Sequence, residues 1–379
     1  MPLSRRRFRS NQQYELVLFD RLSPSERYAY RGLRSEAEHY GVLRPREDVH
    51  LTAKSVSCDT ALLLLTLHEL SPLPQYLMDR LGDRCEPEIA RMVLDGILEV
   101  ELGDRMISGP EALQLVSPNQ ASSGFRNSLS ELSLRALQYA AELSISDPAT
   151  LAQRLYAYNQ IPCSQRWLRL LPDAASVREY LGVERPAVAK ALDTAWRALP
   201  VNDGSPWTAW RSKRRDSSDP FEKTFKLYVS PACSALPEAF AETAVTFARS
   251  RGFQWKAGRG VRGLLRPDKI VAYFHRFSDL QETAARLVAK LDGCSPHGVP
   301  FTCEVAGAGL LSWGLDPPRD ERTVSWLSQT SWRSRICNRL GASLALYKTA
   351  AQPGVSPAEF ATERLRLEGI DPDTWTPAS

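Results

Sequence analysis

The fold of the second half of the chain is decided by residues 225–274, FKLYVSPACSALPEAFAETAVTFARSRGFQWKAGRGVRGLLRPDKIVAYF. The stretch opens with a strand pattern, KLYVS, continues with an amphipathic helix pattern and ends in a second β-branched strand. The overlapping window from Lys256 to Arg276 holds six Lys or Arg residues against one acid, Asp268, a net charge of +5. The whole chain carries only +4. This local excess predicts a binding site for an anion.

The composition is that of an ordinary globular protein, with 43% hydrophobic and 24% charged residues. A chain of 379 residues has room for two or three domains. It contains neither a run of about 18 apolar residues nor a signal-peptide pattern, so we expect a cytoplasmic protein without a membrane segment. The seven cysteines are scattered and odd in number, which favours reduced thiols. The five histidines are equally dispersed, so no metal site is expected.

The order of the patterns predicts an α+β chain in three parts. Residues 1–116 form an N-terminal region, 117–199 a helical middle region, and 200–379 an α/β domain with a curved, mainly antiparallel sheet. Within the first part, residues from about 57 to 109 predict three short helices and a β-hairpin that turns at Gly103-Asp104. Three helices followed by a hairpin indicate a winged-helix-like module.

The third helix of this module is acidic, with Glu86, Glu88 and Asp95 against Arg91. A helix that reads DNA needs positive charge to approach the phosphates. We therefore expect the module to bind a peptide or a protein rather than nucleic acid.

Other segments carry weaker signals. Segment 196–224 is rich in turn formers and predicts a loop that enters the last domain. In the middle region, Tyr156, Tyr158 and Trp167 are interpreted as packing residues. In the last domain, strands are predicted at KLYVS, DKIVAYF and GVPFTCEV, and helices at 237–251, 280–291 and Trp332–Tyr347.

Two short patterns define a candidate site. Alternation in KLYVS places Lys226 and Tyr228 on one face of a strand, although a solvent-facing sheet edge would produce the same pattern. Lys256 follows Phe253 and Trp255, so aromatic neighbours remove part of its water. Nearby cations and loss of water both lower the pKa of a lysine, because both disfavour its charged form. A lysine tuned in this way can act as a general base.

Arginines alternate with glycines after Lys256. Guanidinium groups bind phosphate through two parallel hydrogen bonds, and the glycines predict a flexible loop that wraps an anion. The alternating residues are Gly258, Arg259, Gly260, Arg262, Gly263 and Arg266.

The order of these motifs resembles that of the phosphothreonine lyases, which are type III secretion effectors of pathogenic bacteria. The shared order is Lys-x-aromatic-hydrophobic-Ser, Trp-Lys, an Arg-containing loop leading to a strand with Tyr, and an aromatic-Arg pair near the C-terminus. The phrases LLRPDKIVAYF, GVPFT and GLLSWGLDPP are similar to the related HopA-type effector family. Relatives of that family supply the lyase in class V lanthipeptide and thioamitide biosynthesis. The similarity covers residues 221–340, and the segment RLYAYNQIPCSQRW shows a weaker similarity.

This resemblance implies a reaction. In those pathways a separate kinase phosphorylates Ser or Thr of a precursor peptide. The lyase then eliminates phosphate, without a cofactor, and leaves dehydroalanine or dehydrobutyrine. Lys256 matches the base that removes the Cα proton, and Lys226 matches a lysine near the phosphate and the carbonyl oxygen. Tyr273 matches a tyrosine that orients the site. The arginines that grip the phosphate match Arg333 and either Arg262 or Arg266.

The chain departs from the lyases at one position. Two residues after the first lysine they have a histidine, which protonates the leaving phosphate, and this chain has Tyr228. A phenol with a pKa of about 10 is a poorer acid at neutral pH than an imidazolium. The acid is then Tyr228, His275 or His297, or the step is left to the cations. Two other functions stay open, a non-catalytic phosphopeptide-binding subunit and a winged-helix regulator that binds nucleic acid.

Overall fold

The computed structural model describes residues 3–30, 39–46, 51, 53–117, 127–201, 205–214, 223–317, 331–350 and 354–378. The described chain is a mixed α+β structure whose strands pair antiparallel. Every helix in these ranges is too short or too polar to span a bilayer. The cysteines are free thiols, and the same ranges hold no cluster of His, Cys, Asp and Glu placed to bind a metal ion.

The N-terminal region consists of short strands and helices. The strands are β1 (Arg7–Ser10), β2 (Tyr14–Leu18), β3 (His39–Pro45), β4 (Lys54–Ser57), β5 (Ser71–Pro72), β6 (Leu98–Leu102) and β7 (Arg105–Ile107), and the helices are α1 (Pro24–Ala29), α2 (Cys58–Thr66), α3 (Gln75–Leu81), α4 (Cys85–Leu94) and α5 (Leu113–Val116). The sheets have the orders β5-β1-β6-β7 and β2-β3-β4. The predicted three helices and hairpin are present, and Gly103 turns the hairpin with a φ of +60°, a value that favours glycine. The hairpin extends a sheet that includes β1, which lies outside the predicted module.

The middle region is helical and ends in a short strand. Its elements are α6 (Ser128–Glu142), α7 (Pro148–Ala157), α8 (Gln165–Leu170), α9 (Ala174–Tyr180), α10 (Pro186–Ala195) and β8 (Trp196–Ala198). Asn127 caps α6 and Asp147 caps α7 by accepting hydrogen bonds from backbone N–H groups of the first turn.

The last region contains six of the seven strands of the large sheet and the helices that cover it; the seventh strand is β8. Its strands are β9 (Trp207–Ser212), β10 (Phe225–Val229), β11 (Gln254–Gly258), β12 (Ile270–Phe274), β13 (Cys303–Ala306), β14 (Leu311–Leu315), β15 (Ile370–Asp371) and β16 (Thr376–Pro377), and its helices are α11 (Leu236–Ala248), α12 (Val261–Leu264), α13 (Phe277–Lys290), α14 (Trp332–Tyr347) and α15 (Pro357–Leu367). The order of the seven-stranded sheet is β13-β14-β10-β12-β11-β9-β8.

Strand β10 lies inside this sheet, between β14 and β12. Leu227 and Val229 point into the main core with α11 and α13, while Lys226 and Tyr228 point to the opposite side and are 6% and 3% exposed. The predicted alternation is confirmed, and the alternative of a solvent-facing edge is wrong. An interior strand covered on both sides buries both sets of side chains.

The predicted flexible loop after Lys256 is wrong. Lys256 lies within β11, which ends at Gly258, and the short helix α12 begins at Val261. A Cβ at Gly258 would lie 2.5 Å from the carbonyl carbon of Gly263, so these glycines let strand and helix backbones touch. Gly258, Gly260 and Gly263 also have the spacing of a dinucleotide fingerprint. That fingerprint requires a crossover between parallel strands, whereas β11 and β12 pair antiparallel and α12 has four residues.

Two strands replace part of the loop predicted for 196–224. Strands β8 and β9 form the edge of the sheet next to β11, while 202–204 and 215–222 lie outside the described residues. The ring of Trp210 stacks on that of Trp255 with centroids 4.2 Å apart, and Trp196 meets Trp255 edge-on. Aromatic packing between distant residues thus outweighs the local turn formers.

Candidate active site

The register of three strands gathers the predicted residues on one face. Lys226 lies opposite Tyr273, and Tyr228 lies opposite Val271. On the next strand Lys256 also lies opposite Val271. Side chains of directly opposed residues share a face of the sheet, so the two lysines and two tyrosines occupy one surface.

Lys256 is half-buried beneath aromatic rings. Its Nζ lies 4.2 Å from the ring centroid of Trp207 and 5.8 Å from that of Tyr273. Burial, and then the charge of Lys226, lower its pKa from 10.5 to about 8. Within the described ranges it forms no salt bridge. A lysine in this state is partly neutral near physiological pH and can accept a proton.

Lys226 is tied to the start of α14. Its Nζ lies 2.8 Å from Oδ1 of Asp316 and 5.2 Å from the ring centroid of Tyr273. The same Asp316 oxygen accepts a hydrogen bond of 3.2 Å from the backbone N–H of Trp332. A Cβ at Gly314 would lie 2.7 Å from the Trp332 ring, so the absence of a side chain there lets α14 pack onto the site face. This packing places Arg333, the next residue, beside the sheet.

Asp268 joins two arginines. Its Oδ1 accepts from Nε of Arg266 at 2.8 Å and its Oδ2 accepts from Nη2 at 2.9 Å. Nη1 of Arg333 lies 3.1 Å from Oδ2. Burial acts to raise the pKa of Asp268, but Arg333 and Arg266 outweigh it and hold the pKa below its ordinary value. Asp268 is therefore a buried, charged carboxylate.

Arg333 is 1% exposed and held from three sides. Its Nε donates to the carbonyl of Pro300 at 3.1 Å and its Nη2 donates to the carbonyl of Tyr156 at 2.9 Å. Pro300 belongs to a loop, although the sequence pattern predicted a strand from residue 298; the strand begins only at Cys303. Nη1 of Arg333 is buried and donates no hydrogen bond within the described part of the chain.

These groups leave a surplus of positive charge. We call them the cation cluster and define it as Lys226, Lys256, Arg266 and Arg333 with the carboxylates Asp268 and Asp316. Four cations against two carboxylates leave two excess positive charges when Lys256 is protonated, and one when it is neutral. Burying such a surplus is costly without a counter-charge, and a phosphomonoester carries a charge of about −2 near neutral pH. The cluster therefore matches a phosphate dianion better than a single carboxylate.

The structure separates the remaining candidates. Arg266 belongs to the cluster, whereas Arg262 is exposed on α12. Burial and then the charge of Asp316 raise the pKa of Tyr228 well above its ordinary value. The ring of His275 stacks on Phe253 with centroids 4.0 Å apart.

His297 is engaged through both ring nitrogens. Nδ1 lies 2.7 Å from Nζ of Lys269, and Nε2 lies 2.7 Å from the carbonyl oxygen of Asn159. Burial, and then Lys269, lower its pKa to about 4. It is thus a neutral imidazole near neutral pH, with Nε2–H donating to Asn159, and not an imidazolium acid.

Sequence reasoning missed four members or neighbours of the cluster: Asp268, Asp316, Tyr156 and Trp207. The lone acid within a basic window was the signal for Asp268. Tyr156 was interpreted as packing, yet its ring lies 4.5 Å from Cζ of Arg333. No local signal marks Asp316 or Trp207, because their partners lie on distant strands.

Neither a protein-family model nor a curated protein matches the chain. Among solved structures, it is similar to the effector protein from Pseudomonas syringae pv. tomato strain DC3000, with 12% identity and a TM-score of 0.40 over 66% of this chain and 99% of that chain. It is similar to the phosphothreonine lyase SpvC, an effector protein from Salmonella, with 12% identity and a TM-score of 0.29 over 48% and 89%. It is also similar to the type III effector/phosphothreonine lyase OspF from Shigella flexneri, with 13% identity and a TM-score of 0.29 over 34% and 76%.

Proposed function

We propose that the chain is a carbon–oxygen lyase that eliminates phosphate from phosphoserine or phosphothreonine in a peptide. The observation that carries this proposal is the cation cluster, which has one excess positive charge while Lys256 is neutral and a second when it is protonated, and in which the pKa of Lys256 is lowered. The remaining cations hold a phosphate dianion, and Lys256 in its neutral form supplies the base. The motif order in the sequence supports the same reaction.

The elimination needs no water and no redox partner. Neutral Lys256 takes the proton from Cα, and the electron pair of that C–H bond forms the Cα–Cβ double bond. The Cβ–O bond breaks and phosphate leaves with its bonding pair. Phosphoserine gives dehydroalanine, and phosphothreonine gives dehydrobutyrine. Lys226 stabilises the charge that develops on the carbonyl oxygen, while Arg266 and Arg333 hold the phosphate.

Tyr228 and Tyr273 have supporting roles in this mechanism. With its raised pKa, Tyr228 keeps its proton at neutral pH and donates a hydrogen bond to the leaving oxygen. Phosphate can leave as an anion, so the hydrogen bond from Tyr228 is sufficient and the leaving oxygen does not have to be fully protonated. The Tyr273 ring lies 5.2 Å from Nζ of Lys226 and 5.8 Å from Nζ of Lys256, and it orients both lysine side chains.

The substrate in this proposal is a precursor peptide of a lanthipeptide-type natural product, phosphorylated by a separate kinase. The sequence resemblance to lyases of that pathway supports this setting. The N-terminal and middle regions then dock the leader segment of the precursor or the kinase. The reaction takes place in the cytoplasm and needs neither cofactor nor metal.

A second candidate is a phosphopeptide-binding subunit without activity, which the raised pKa of Tyr228 favours. The nucleic-acid-binding alternative is disfavoured by the packing of α4. Leu94 on α4 and Phe360 on α15 share a buried cluster, and Asp95 at the end of α4 pairs with Arg364 of α15. The exposed start of α4 carries Glu86. The helix that would enter a DNA groove is therefore partly covered and acidic where it is open.

A phosphothreonine peptide tests the proposal. We expect mass spectrometry to detect loss of phosphoric acid, a product distinct from the threonine peptide that a phosphatase would leave. Lys256→Ala abolishes turnover but keeps phosphopeptide binding, whereas Lys190→Ala, at an exposed lysine of α10, changes neither. Binding without elimination by the unaltered chain would favour the inactive subunit, and neither binding nor elimination would refute both.

A further inference from the structure

Tyr156 brings the helical middle region into the site. It lies near the end of α7, yet its hydroxyl accepts from Nη2 of Arg266 at 3.1 Å and lies 3.3 Å from Oδ2 of Asp268. Its ring lies 4.5 Å from Cζ of Arg333 and 5.5 Å from that of Arg266. Its backbone carbonyl accepts from Arg333 at 2.9 Å. One residue thus contacts both arginines through ring, hydroxyl and main chain.

Asp268 completes the arrangement from the sheet side. It is 4% exposed and receives both guanidinium groups. A free arginine side chain has many rotamers, and holding it in one geometry costs entropy. The ring of Tyr156 and the hydrogen bonds with Tyr156 and Asp268 offset this loss of entropy when the protein folds. The arginines are therefore already ordered before a ligand binds. Nη1 of Arg333 is buried 3.1 Å from Oδ2 of Asp268 and donates no hydrogen bond to the described residues.

We propose that Tyr156 and Asp268 are positioning residues that hold Arg266 and Arg333 for the phosphate group, so that the helical middle region is an integral part of the site. This inference rests on the proposed function. It predicts that the region with the large sheet does not form a complete phosphate site without the middle region, because Tyr156, which contacts both arginines, belongs to α7. The two residues act through the arginines and do not touch the reacting atoms.

The first test compares three substitutions in α7 and its end. Tyr156→Phe removes the hydroxyl and keeps the ring, Tyr156→Leu removes both, and Tyr158→Phe is the control. The ring of Tyr158 packs at a tilted angle against that of Tyr139, with centroids 5.5 Å apart, outside the cluster. A hydrogen bond to a charged group corresponds to roughly 10- to 100-fold in affinity. We expect Tyr156→Phe to raise KM about 10-fold with kcat changed less, Tyr156→Leu to do more, and Tyr158→Phe to have no effect.

Phosphopeptide affinity provides a readout without turnover. Calorimetry with the same peptide in a Lys256→Ala background measures binding alone. Adding Tyr156→Phe should weaken this binding about 10-fold, while thermal unfolding of the variant stays close to that of its parent. Equal affinities with and without the Tyr156 hydroxyl would overturn the inference.

Asp268→Asn provides a further test through the pH dependence of kcat/KM, because partial unfolding would lower activity without shifting that dependence. The charge of Asp268 raises the pKa of Lys256. When kcat/KM is plotted against pH, Asp268→Asn should therefore shift the pH range in which activity rises to lower values. The variant should also have a higher KM. An unchanged pH profile and an unchanged KM would overturn the role of Asp268.

If the unaltered chain binds phosphopeptide without eliminating phosphate, the proposed function fails while the binding test still decides the inference. If it eliminates phosphate and Tyr156→Phe behaves like the unaltered chain, the inference fails alone.

Discussion

The pH dependence of turnover tests the assignment of Lys256 as the base. Its pKa of about 8, against an ordinary value of 10.5, reflects burial and the neighbouring Lys226. The difference corresponds to roughly 3 kcal/mol between the protonated and neutral forms. The neutral amine is the active form, so activity increases as the pH rises through the pKa. Because kcat/KM reports the free enzyme, it should show this value.

The range from pH 7 to pH 9 separates this base from an ordinary lysine. The second pKa of the substrate phosphate is about 6, so the substrate is already dianionic there. With a pKa of about 8, kcat/KM should rise about tenfold across this range and level off. A lysine with a pKa of 10.5 would give a rise in kcat/KM of about a hundredfold over the same range, without a plateau.

Initial rates with a phosphothreonine peptide well below KM measure this profile directly. Thermal unfolding at each pH confirms that the protein stays folded, and Lys256→Ala shows the background rate. A flat profile, or the steep rise without a plateau, would refute Lys256 as a base with lowered pKa.

Two further predictions concern the leaving group and the strand–helix contact. Tyr228→Phe should lower kcat about 10- to 100-fold, since hydrogen bonding to a charged group is lost; a loss below about threefold would remove Tyr228 from the mechanism. Gly258→Ala should destabilise the fold by roughly 1–3 kcal/mol, since its Cβ would meet the backbone of Gly263. Gly260→Ala, which has open space around its Cβ, is the matched control in thermal unfolding. Equal losses in both variants would contradict the contact.

The elements that could be predicted are those with a clear local period. Alternation placed Lys226 and Tyr228 on one face, and the helix Trp332–Tyr347 has the predicted bounds. The hairpin at Gly103 follows from turn chemistry. Predictions failed where distant residues decide. Turn formers indicated a loop at 196–224, but strands β8 and β9 lie in its described parts, where Trp196 and Trp210 pack against Trp255.

The candidate site divides in the same way. Local sequence was enough to indicate the excess of cations and the motif order. The pKa of Lys256 is lowered as predicted, but not by the predicted neighbour, since Trp255 packs into the main core; Trp207 and Tyr273 lie near Nζ of Lys256, and Lys226 adds its charge. Local sequence left Arg262 and Arg266 undecided, and the structure places only Arg266 in the cluster.

The sequence by itself therefore determined a local excess of cations, of which Lys256 is one. Only the tertiary structure decided which charges meet. Asp316 pairs with Lys226, Asp268 joins two arginines, and Tyr156 reaches Asp268 across 112 residues of chain. Such contacts depend on strand register and helix packing between distant segments, and no local pattern in the sequence records them.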